Sequence, residues 1–256
     1  MTPSHRARPI GILGGVGPRA GLDLFQKVLT STRAGNDQDH LPVTLASFPH
    51  RIPDRTAFLL GHAVDNPGEA LAEIALGLVD AGAEVVGIPC NTAHAPEIFD
   101  VVRERVEGRC TLVHMIDEVG RELARRVPDA RRIGVLSTTG TLMANVYPDR
   151  LRPQGLDVLQ LPLALQATTV QPAIYDEATG IKSVADPVHA QAVRRLHLGL
   201  DALLSQGAEV VVLACTEIPL ALRMPEVRGI PLLDATAVLA RALVRESCPD
   251  RLVDLD

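Results

Sequence analysis

Short apolar runs alternate along this chain with stretches whose apolar positions recur every three or four residues, the signature of strands feeding helices. Ile10-Gly11-Ile12-Leu13 reads as a strand that runs into the loop Gly14-Gly15-Val16-Gly17-Pro18. The segment from Arg19 to Thr32 then predicts a helix with Leu22, Phe25 and Leu29 on its inner face. Pro42 to Phe48 is a second strand, followed by a polar loop, His50-Arg51-Ile52-Pro53-Asp54-Arg55-Thr56. Leu71, Ile74, Ala75, Leu78 and Val79 fall at helical spacing, Gly82 is placed to end that helix, and Glu84 to Pro89 is a buried strand that delivers Cys90. A helix over roughly Ala95 to Glu107 starts near Pro96, where proline is tolerated. Leu112 to Ile116 reads as a strand, with Asp117 as the N-cap of the next helix.

After Pro128 the series begins again. Ile133-Gly134-Val135-Leu136 matches Ile10 to Leu13 and enters Ser137-Thr138-Thr139-Gly140-Thr141, and Val158 to Leu161 is a strand. Val193, Leu196, Leu200, Leu203 and Leu204 form a helical face leading to Gly207-Ala208-Glu209-Val210-Val211-Val212-Leu213-Ala214-Cys215-Thr216-Glu217. That stretch repeats Gly82-Ala83-Glu84-Val85-Val86, with glycine and cysteine both displaced by 125 residues (207 − 82 and 215 − 90). Ile230 to Leu233 with Asp234 echoes Leu112 to Asp117. Repeated β-α units predict parallel sheets with helices on their faces, and a repeat this long is a duplicated domain rather than a solenoid. The expected fold is α/β: two similar parallel-sheet lobes related by a pseudo-two-fold, with the active site in the cleft between them. The first lobe spans 1–116 and the second 117–233, with a C-terminal helix at about 234–248 packing back on the first.

Composition narrows the partners. With 46% hydrophobic and 22% charged residues, the 256-residue chain can bury a sizeable core. A formal charge of −6 gives no general reason to expect nucleic acid or an anionic membrane as partner, and 2% aromatic residues leave few stacking platforms. The N-terminal Met1 to Arg8 is short and basic, Ile10 to Val16 is too glycine-rich for a signal core, and Glu73, Asp80 and Glu84 interrupt the most apolar region. The expectation is a cytoplasmic protein acting on a small molecule.

The candidate chemistry lies in the cysteines. Cys90, Cys110, Cys215 and Cys248 show no zinc-type spacing, and a cytosolic disulfide framework is not expected. Cys110 and Cys248 have no duplicated partner and read as structural or surface residues. Cys90 and Cys215 each end an apolar strand beside polar side chains, Asn91 and Thr92 in one copy, Thr216 and Glu217 in the other. A buried cysteine in that place is ordinarily a small hydrophobe. A duplicated one before a helix, whose N-terminus lowers a thiol pKa, points instead to a reactive pair. Two thiols facing each other across a cleft suit removal of a proton from one face of a carbon and return of a proton to the other, since a single base restores the original configuration. The loop Gly14 to Pro18 lacks the dinucleotide spacing, and Pro18 removes a backbone donor, so nucleotide binding is rejected. His94 and His114 read first as hydrogen-bonded framework, and Glu217 as a helix cap or a neighbour that tunes the thiol.

Gly14-Gly15-Val16-Gly17-Pro18, Ile52-Pro53-Asp54-Arg55-Thr56, Pro89-Cys90-Asn91-Thr92-Ala93-His94, Thr138-Thr139-Gly140-Thr141 and Cys215-Thr216-Glu217-Ile218-Pro219 together resemble the motifs of the cofactor-independent aspartate/glutamate racemase family, most closely its aspartate racemases. The resemblance runs from Ile10 to about Leu239. It implies an amino-acid racemase that needs neither pyridoxal phosphate nor metal, usually a homodimer, with a dicarboxylic amino acid as substrate. By the same resemblance Cys90 and Cys215 are the acid–base catalysts, while Arg55 and Lys182, in Gly180-Ile181-Lys182, meet substrate carboxylates. Val16, Asn91, Thr92, Thr139, Thr141 and Thr216 hold the remaining carboxylate and the amine. Departures at Val16, at Arg19-Ala20-Gly21 and at His50 bear on the choice of substrate. A maleate-type cis–trans isomerase, which also keeps two cysteines, and a non-catalytic amino-acid-binding regulator are the alternative readings.

Overall fold

The computed structural model describes residues 6–254, and the first five residues of the basic N-terminal stretch lie outside it. Two compact units divide the chain. The first holds everything described up to Pro53, Asp65–Glu118, and Thr236 onward; the second holds Asp54–Val64 and Val119–Ala235.

In the first unit β1 (Ile10–Gly14), β2 (Val43–Ser47), β3 (Val85–Gly87) and β4 (Thr111–Val113) form a parallel sheet in the order β2-β1-β3-β4. In the second, β5 (Arg132–Ser137), β6 (Asp157–Leu159), β7 (Val210–Ala214), β8 (Glu226–Val227) and β9 (Ile230–Asp234) follow the order β6-β5-β7-β9-β8. All its pairings are parallel except β8 with β9. Leaving out the short β8, the two orders are the same. β1, β3, β5 and β7 are apolar and nearly all buried, as strands covered on both faces must be.

The duplication reaches individual contacts. A Cβ at Gly11 would lie 2.9 Å from Ala83, 3.2 Å from Val86 and 3.4 Å from Leu78. At Gly134 it would lie 3.1 Å from Ala208, 3.1 Å from Val211 and 3.3 Å from Leu203. Each partner in the second set sits 125 residues after its counterpart, so glycine relieves the same crowding in both strands, from the helix's last turn, the residue after its glycine cap and the neighbouring strand. Those helices, Pro67–Asp80 and Ala190–Ser205, also end alike. Gly82 (φ 96°) and Gly207 (φ 84°) take the left-handed conformation, while Ala83 and Ala208 donate back to Leu78 and Leu203 at 2.9 and 3.1 Å. This is the glycine C-cap in which the last turn's carbonyls are satisfied.

Three local expectations change. Helix Pro18–Ser31 buries Ala20, Gly21, Leu24 and Val28, and Leu22 is 62% exposed. The small residues let the helix approach the sheet, where a Cβ at Gly21 would sit 3.1 Å from Leu45, so the inner face follows close packing rather than the largest side chains. The polar loop before Thr56 contains a helix, Arg55–Leu59, because the Asp54 carboxylate accepts from the Ala57 N–H at 2.8 Å. β4 ends at Val113, and helix Met115–Arg126 begins two residues ahead of the expected cap at Asp117. His114 does the capping: its Nδ1 accepts from the Asp117 N–H at 3.3 Å.

Helix Ala235–Ser247 packs in the first unit, with Leu239 and Leu243 against Gly87, where a Cβ would meet them at 3.0 to 3.3 Å. Among the described residues no helix is long and apolar enough to cross a membrane. The corrected face of helix Pro18–Ser31 makes a clear prediction for urea unfolding. Leu24→Ala should lose about 2–5 kcal/mol, as for a fully buried leucine, and Leu22→Ala within about 0.5 kcal/mol of nothing. Equal losses would mean that the exposed residue is the one packed.

Candidate active site

Parallel sheets bind ligands beyond the C-terminal ends of their strands, where the chain leaves a central strand in opposite directions. In the first unit that place lies after β1 and β3, where the Gly14 to Pro18 loop and Cys90 emerge. In the second it lies after β5 and β7, where Thr138 to Thr141 and Cys215 emerge. All four cysteines are free thiols, and both Cys90 (8% exposed) and Cys215 (5%) are buried.

Around Cys90 the chain makes a single turn, Asn91–His94, before helix Pro96–Val106 begins. Cys90 is extended, and Asn91, Thr92 and His94 are all buried. His94 Nδ1 lies 2.9 Å from the Cys90 carbonyl, which can only accept, so the ring carries its proton on Nδ1. The imidazole stacks on Phe99 (centroids 4.9 Å apart, planes at 24°) and meets His114 edge-on at 4.9 Å. Burial, with the neighbouring His114 charge, pushes its pKa down to about 3, so His94 is neutral and anchors the backbone that carries Cys90. Val16 is buried in the loop after β1. Gly15 (φ 84°) lets that loop lie on the backbone of Phe48 and Pro49, where a Cβ would come within 2.8 Å of the Phe48 nitrogen.

The second unit assembles more of the expected residues. Glu217, buried two residues after Cys215, is their centre. Its Oε2 accepts from Cys215 Sγ at 3.0 Å and from the Thr216 hydroxyl at 3.2 Å, and its Oε1 accepts from Lys182 Nζ at 3.3 Å. Lys182 has an exposed backbone, yet its side chain keeps only 24% of its surface accessible. Its ammonium sits 5.2 Å from the centre of the Tyr175 ring, a cation–π distance. The Tyr175 hydroxyl lies 3.3 Å from Asp54 Oδ2 and 3.2 Å from Thr56 Oγ1. Arg55, on the same short helix as Thr56, is buried, and its charge acts on both Glu217 and Lys182.

The electrostatics follow from this packing. Burial pulls the Lys182 pKa down, but Glu217, Tyr175 and Cys215 more than offset it, and the ammonium is held above its usual range. Burial pushes Glu217 up, and Lys182, the Cys215 thiol and Arg55 together bring it below the ordinary carboxylate range. Cys215 is pushed well up, first by burial and then by the Glu217 charge, against a smaller opposing pull from Lys182. Tyr147, fully buried, is likewise raised by burial and by the charges of Cys215 and Asp234.

Thr138 caps helix Thr139–Met143: its hydroxyl oxygen accepts from the Thr141 N–H at 3.3 Å and lies 3.1 Å from the Thr141 hydroxyl. The Thr139 N–H donates to Gln171 Oε1 at 2.9 Å. Gly140 lies so close to Thr56 that a Cβ would meet its Oγ1 at 2.6 Å, which sets this helix against the Arg55 helix.

Cys215, Thr216, Lys182 and Arg55 therefore gather around Glu217 in one unit, while Cys90, Asn91 and Thr92 share one turn of the other. The expected lowering of a thiol pKa by a following helix is overturned at Cys215: the helix after it, Ile218–Ala221, is four residues long, and an ionised carboxylate stands closer. Tyr175 and Asp54 were not singled out from the sequence. One signal was available, since Tyr175 is one of two tyrosines and lies seven residues before Lys182.

The sequence profile of the family described as Asp/Glu/Hydantoin racemase matches residues 13–243. The chain is similar to the broad specificity amino-acid racemase RacX of Bacillus subtilis, 26% identical over 92% of this chain and 96% of that one. It is also similar to a glutamate racemase of Listeria monocytogenes, 30% identical over 56% of this chain and 48% of that one. Its fold is like that of the Picrophilus torridus aspartate racemase, with a TM-score of 0.79 at 23% identity and 96% of each chain covered. It is also like that of the Francisella tularensis glutamate racemase, with a TM-score of 0.66 at 17% identity, 98% of this chain and 85% of that one.

The neutral His94 has a pH signature. Its folded pKa lies below the unfolded value of 6.5, so the stability it brings is present above that value and is lost as pH falls toward about 3. The urea midpoint of the wild type should drop between pH 7 and pH 4 more steeply than that of His94→Leu, which starts lower for want of the Nδ1–H bond. Parallel slopes would show that His94 titrates normally.

Proposed function

The chain belongs to the Asp/Glu/Hydantoin racemase family and is an isomerase of the amino-acid racemase type, and on that premise we propose that it interconverts L- and D-aspartate, or glutamate, by a two-base 1,1-proton transfer. The observation that carries this reading is the matched placement of Cys90 and Cys215 beyond the corresponding central strands, Cys90 three residues past the end of β3 and Cys215 directly after β7, in two sheets with the same order once β8 is left out. One thiolate takes the α-proton and the other thiol returns a proton to the opposite face; the roles exchange for the reverse reaction. Cysteine suits both parts because its pKa can be tuned close to working pH. The reaction as proposed uses neither pyridoxal phosphate nor metal.

Arg55 and Lys182 support a dicarboxylic substrate. A guanidinium presents a planar fork that matches a carboxylate in bidentate fashion, and an ammonium provides a compact second cation. In this reading the side-chain carboxylate takes Lys182 over from Glu217, while Asn91, Thr92, Thr139, Thr141, Thr216 and the backbone around Val16 receive the α-carboxylate and amine. The protein is proposed to work in the cytoplasm and as a homodimer, the latter as the resemblance of its motifs implies.

The test is incubation with L-aspartate, L-glutamate and a panel of other amino acids in D₂O. Deuterium at Cα with loss of optical rotation is the expected result for at least one acidic amino acid. Exchange confined to neutral amino acids would overturn the dicarboxylate assignment, and cis–trans conversion of maleate without racemisation would replace the reaction. Cys90→Ala and Cys215→Ala should each abolish racemisation with little loss of folding, and Cys110→Ala should do neither; near-normal turnover in either of the first two sinks the two-base assignment. Arg55→Ala should raise KM for the dicarboxylate by about tenfold or more, the scale of a lost charge-assisted hydrogen bond. Unaltered kinetics would remove Arg55 from the site.

A further inference from the structure

The two cysteines hold equivalent places in the fold, but the residues that follow them differ in charge. Two residues after Cys90 stands Thr92, and two residues after Cys215 stands Glu217. Three donors converge on the Glu217 carboxylate: the Cys215 thiol and the Thr216 hydroxyl on Oε2, and the Lys182 ammonium on Oε1. A carboxylate surrounded by donors is held in its ionised, acceptor-only form. Were Cys215 to lose its proton, sulfur and oxygen would stand 3.0 Å apart as two buried anions. Like charges at that distance are costly in a site of low dielectric.

We propose that Glu217, with Lys182 as its counter-ion, is a positioning residue that holds Cys215 as the thiol when no substrate is bound, so that Cys215 is the resting proton donor and Cys90 the group that acts first as base. The assignment rests on the two-cysteine racemase reading and adds an asymmetry that the duplicated scaffold does not impose. In the turnover that starts from this state, the Cys90 thiolate takes the α-proton and becomes a thiol, and the Cys215 S–H bond gives its proton to the other face of the α-carbon, leaving a thiolate. The free protein returns to rest when Cys215 regains a proton and Cys90 loses one to solvent, so the cycle balances without an additional reactant.

The groups facing Cys215 from neighbouring elements agree with this. Tyr147 and Tyr175 are both raised by burial and stay neutral at working pH, so neither adds a negative charge that would compete with Glu217. Lys182 and Arg55 are the cations, and Lys182 is engaged by the carboxylate rather than by the sulfur. At the other cysteine the side chain two residues on is a threonine, and the nearby imidazole of His94 is neutral and turned to the backbone carbonyl.

The experiment reads the thiol directly. Wild type, Glu217→Gln and Glu217→Gln/Lys182→Met are alkylated with iodoacetamide from pH 6 to pH 10, and modification of the Cys215 peptide is followed by mass spectrometry, with urea unfolding as the check on folding. Glutamine keeps the shape and removes the charge, so the Cys215 midpoint should fall by about two pH units in Glu217→Gln, within the range of a buried like-charge effect. It should lie between the other two in the double variant, where the released Lys182 no longer favours the thiolate. A midpoint in folded Glu217→Gln equal to or above that of the wild type overturns the proposal. Deuterium incorporation into aspartate and glutamate by the wild type, measured alongside, separates the two claims. Racemisation without the shift removes the Glu217 role and leaves the racemase reading. The shift without exchange removes the resting-donor assignment together with the racemase reading, and leaves only a carboxylate that holds a thiol proton.

Discussion

A carboxylate with 8% of its side chain exposed cannot remain charged without partners, and much of the second unit's site follows from giving Glu217 what it needs. Its charge is met by Lys182, and the ammonium of that lysine lies 5.2 Å from the centre of the Tyr175 ring. The tyrosine hydroxyl is in turn tied to Asp54, which caps the helix that carries Arg55, and to Thr56 within that helix. Gly140 is the opposite side of the same constraint, because any side chain there would displace Thr56. Removing one partner of such a buried pair typically costs about 3–5 kcal/mol, since the remaining charge stays buried alone. Glu217 and Lys182 therefore link the framework to the protonation of Cys215.

The first unit presents a similar scaffold with another electrostatic solution. Its central strand is followed by a cysteine at the equivalent place, and His94 fixes the backbone there by a neutral hydrogen bond and ring packing. Duplication preserved the backbone relationships, down to Gly11 and Gly134 with their three matched neighbours and the glycine caps at Gly82 and Gly207. It did not preserve Glu217, whose counterpart two residues after Cys90 is Thr92. Under the two-base proposal, this difference is what would let one residue type serve as acid in one unit and base in the other.

Much of this was legible in the sequence because strands buried on both faces leave unbroken apolar runs, and the repeated Gly-Ala-Glu-Val-Val marks the same helix end and strand start twice. The inner face of helix Pro18–Ser31 was misread because close approach selects Ala20 and Gly21, residues that a hydrophobicity pattern passes over in favour of Leu22. The Arg55 helix and the start of helix Met115–Arg126 were missed or misplaced for one reason. Each depends on a side chain meeting a particular backbone N–H, Asp54 at Ala57 and His114 at Asp117, and spacing alone does not say which polar residue will do so. The partnership of Lys182 with Glu217 crosses 35 residues and an irregular segment, and no local period encodes it. The expectation of an activated thiol failed at Cys215 because it rested on a helix dipole, whereas the structure supplies only four helical residues and an adjacent negative charge.

The central claim is that two different groups serve the two faces of one α-carbon, and the position of solvent deuterium early in the reaction tests it most directly. Each enantiomer of aspartate is incubated separately in D₂O, and at low conversion the recovered substrate and the newly formed antipode are resolved and weighed by mass spectrometry. Two bases that do not share protons predict deuterium at Cα of the product and almost none in the remaining substrate, from either starting enantiomer. Equal deuterium in recovered substrate and product, from both directions, would mean that one base serves both faces and would contradict the account.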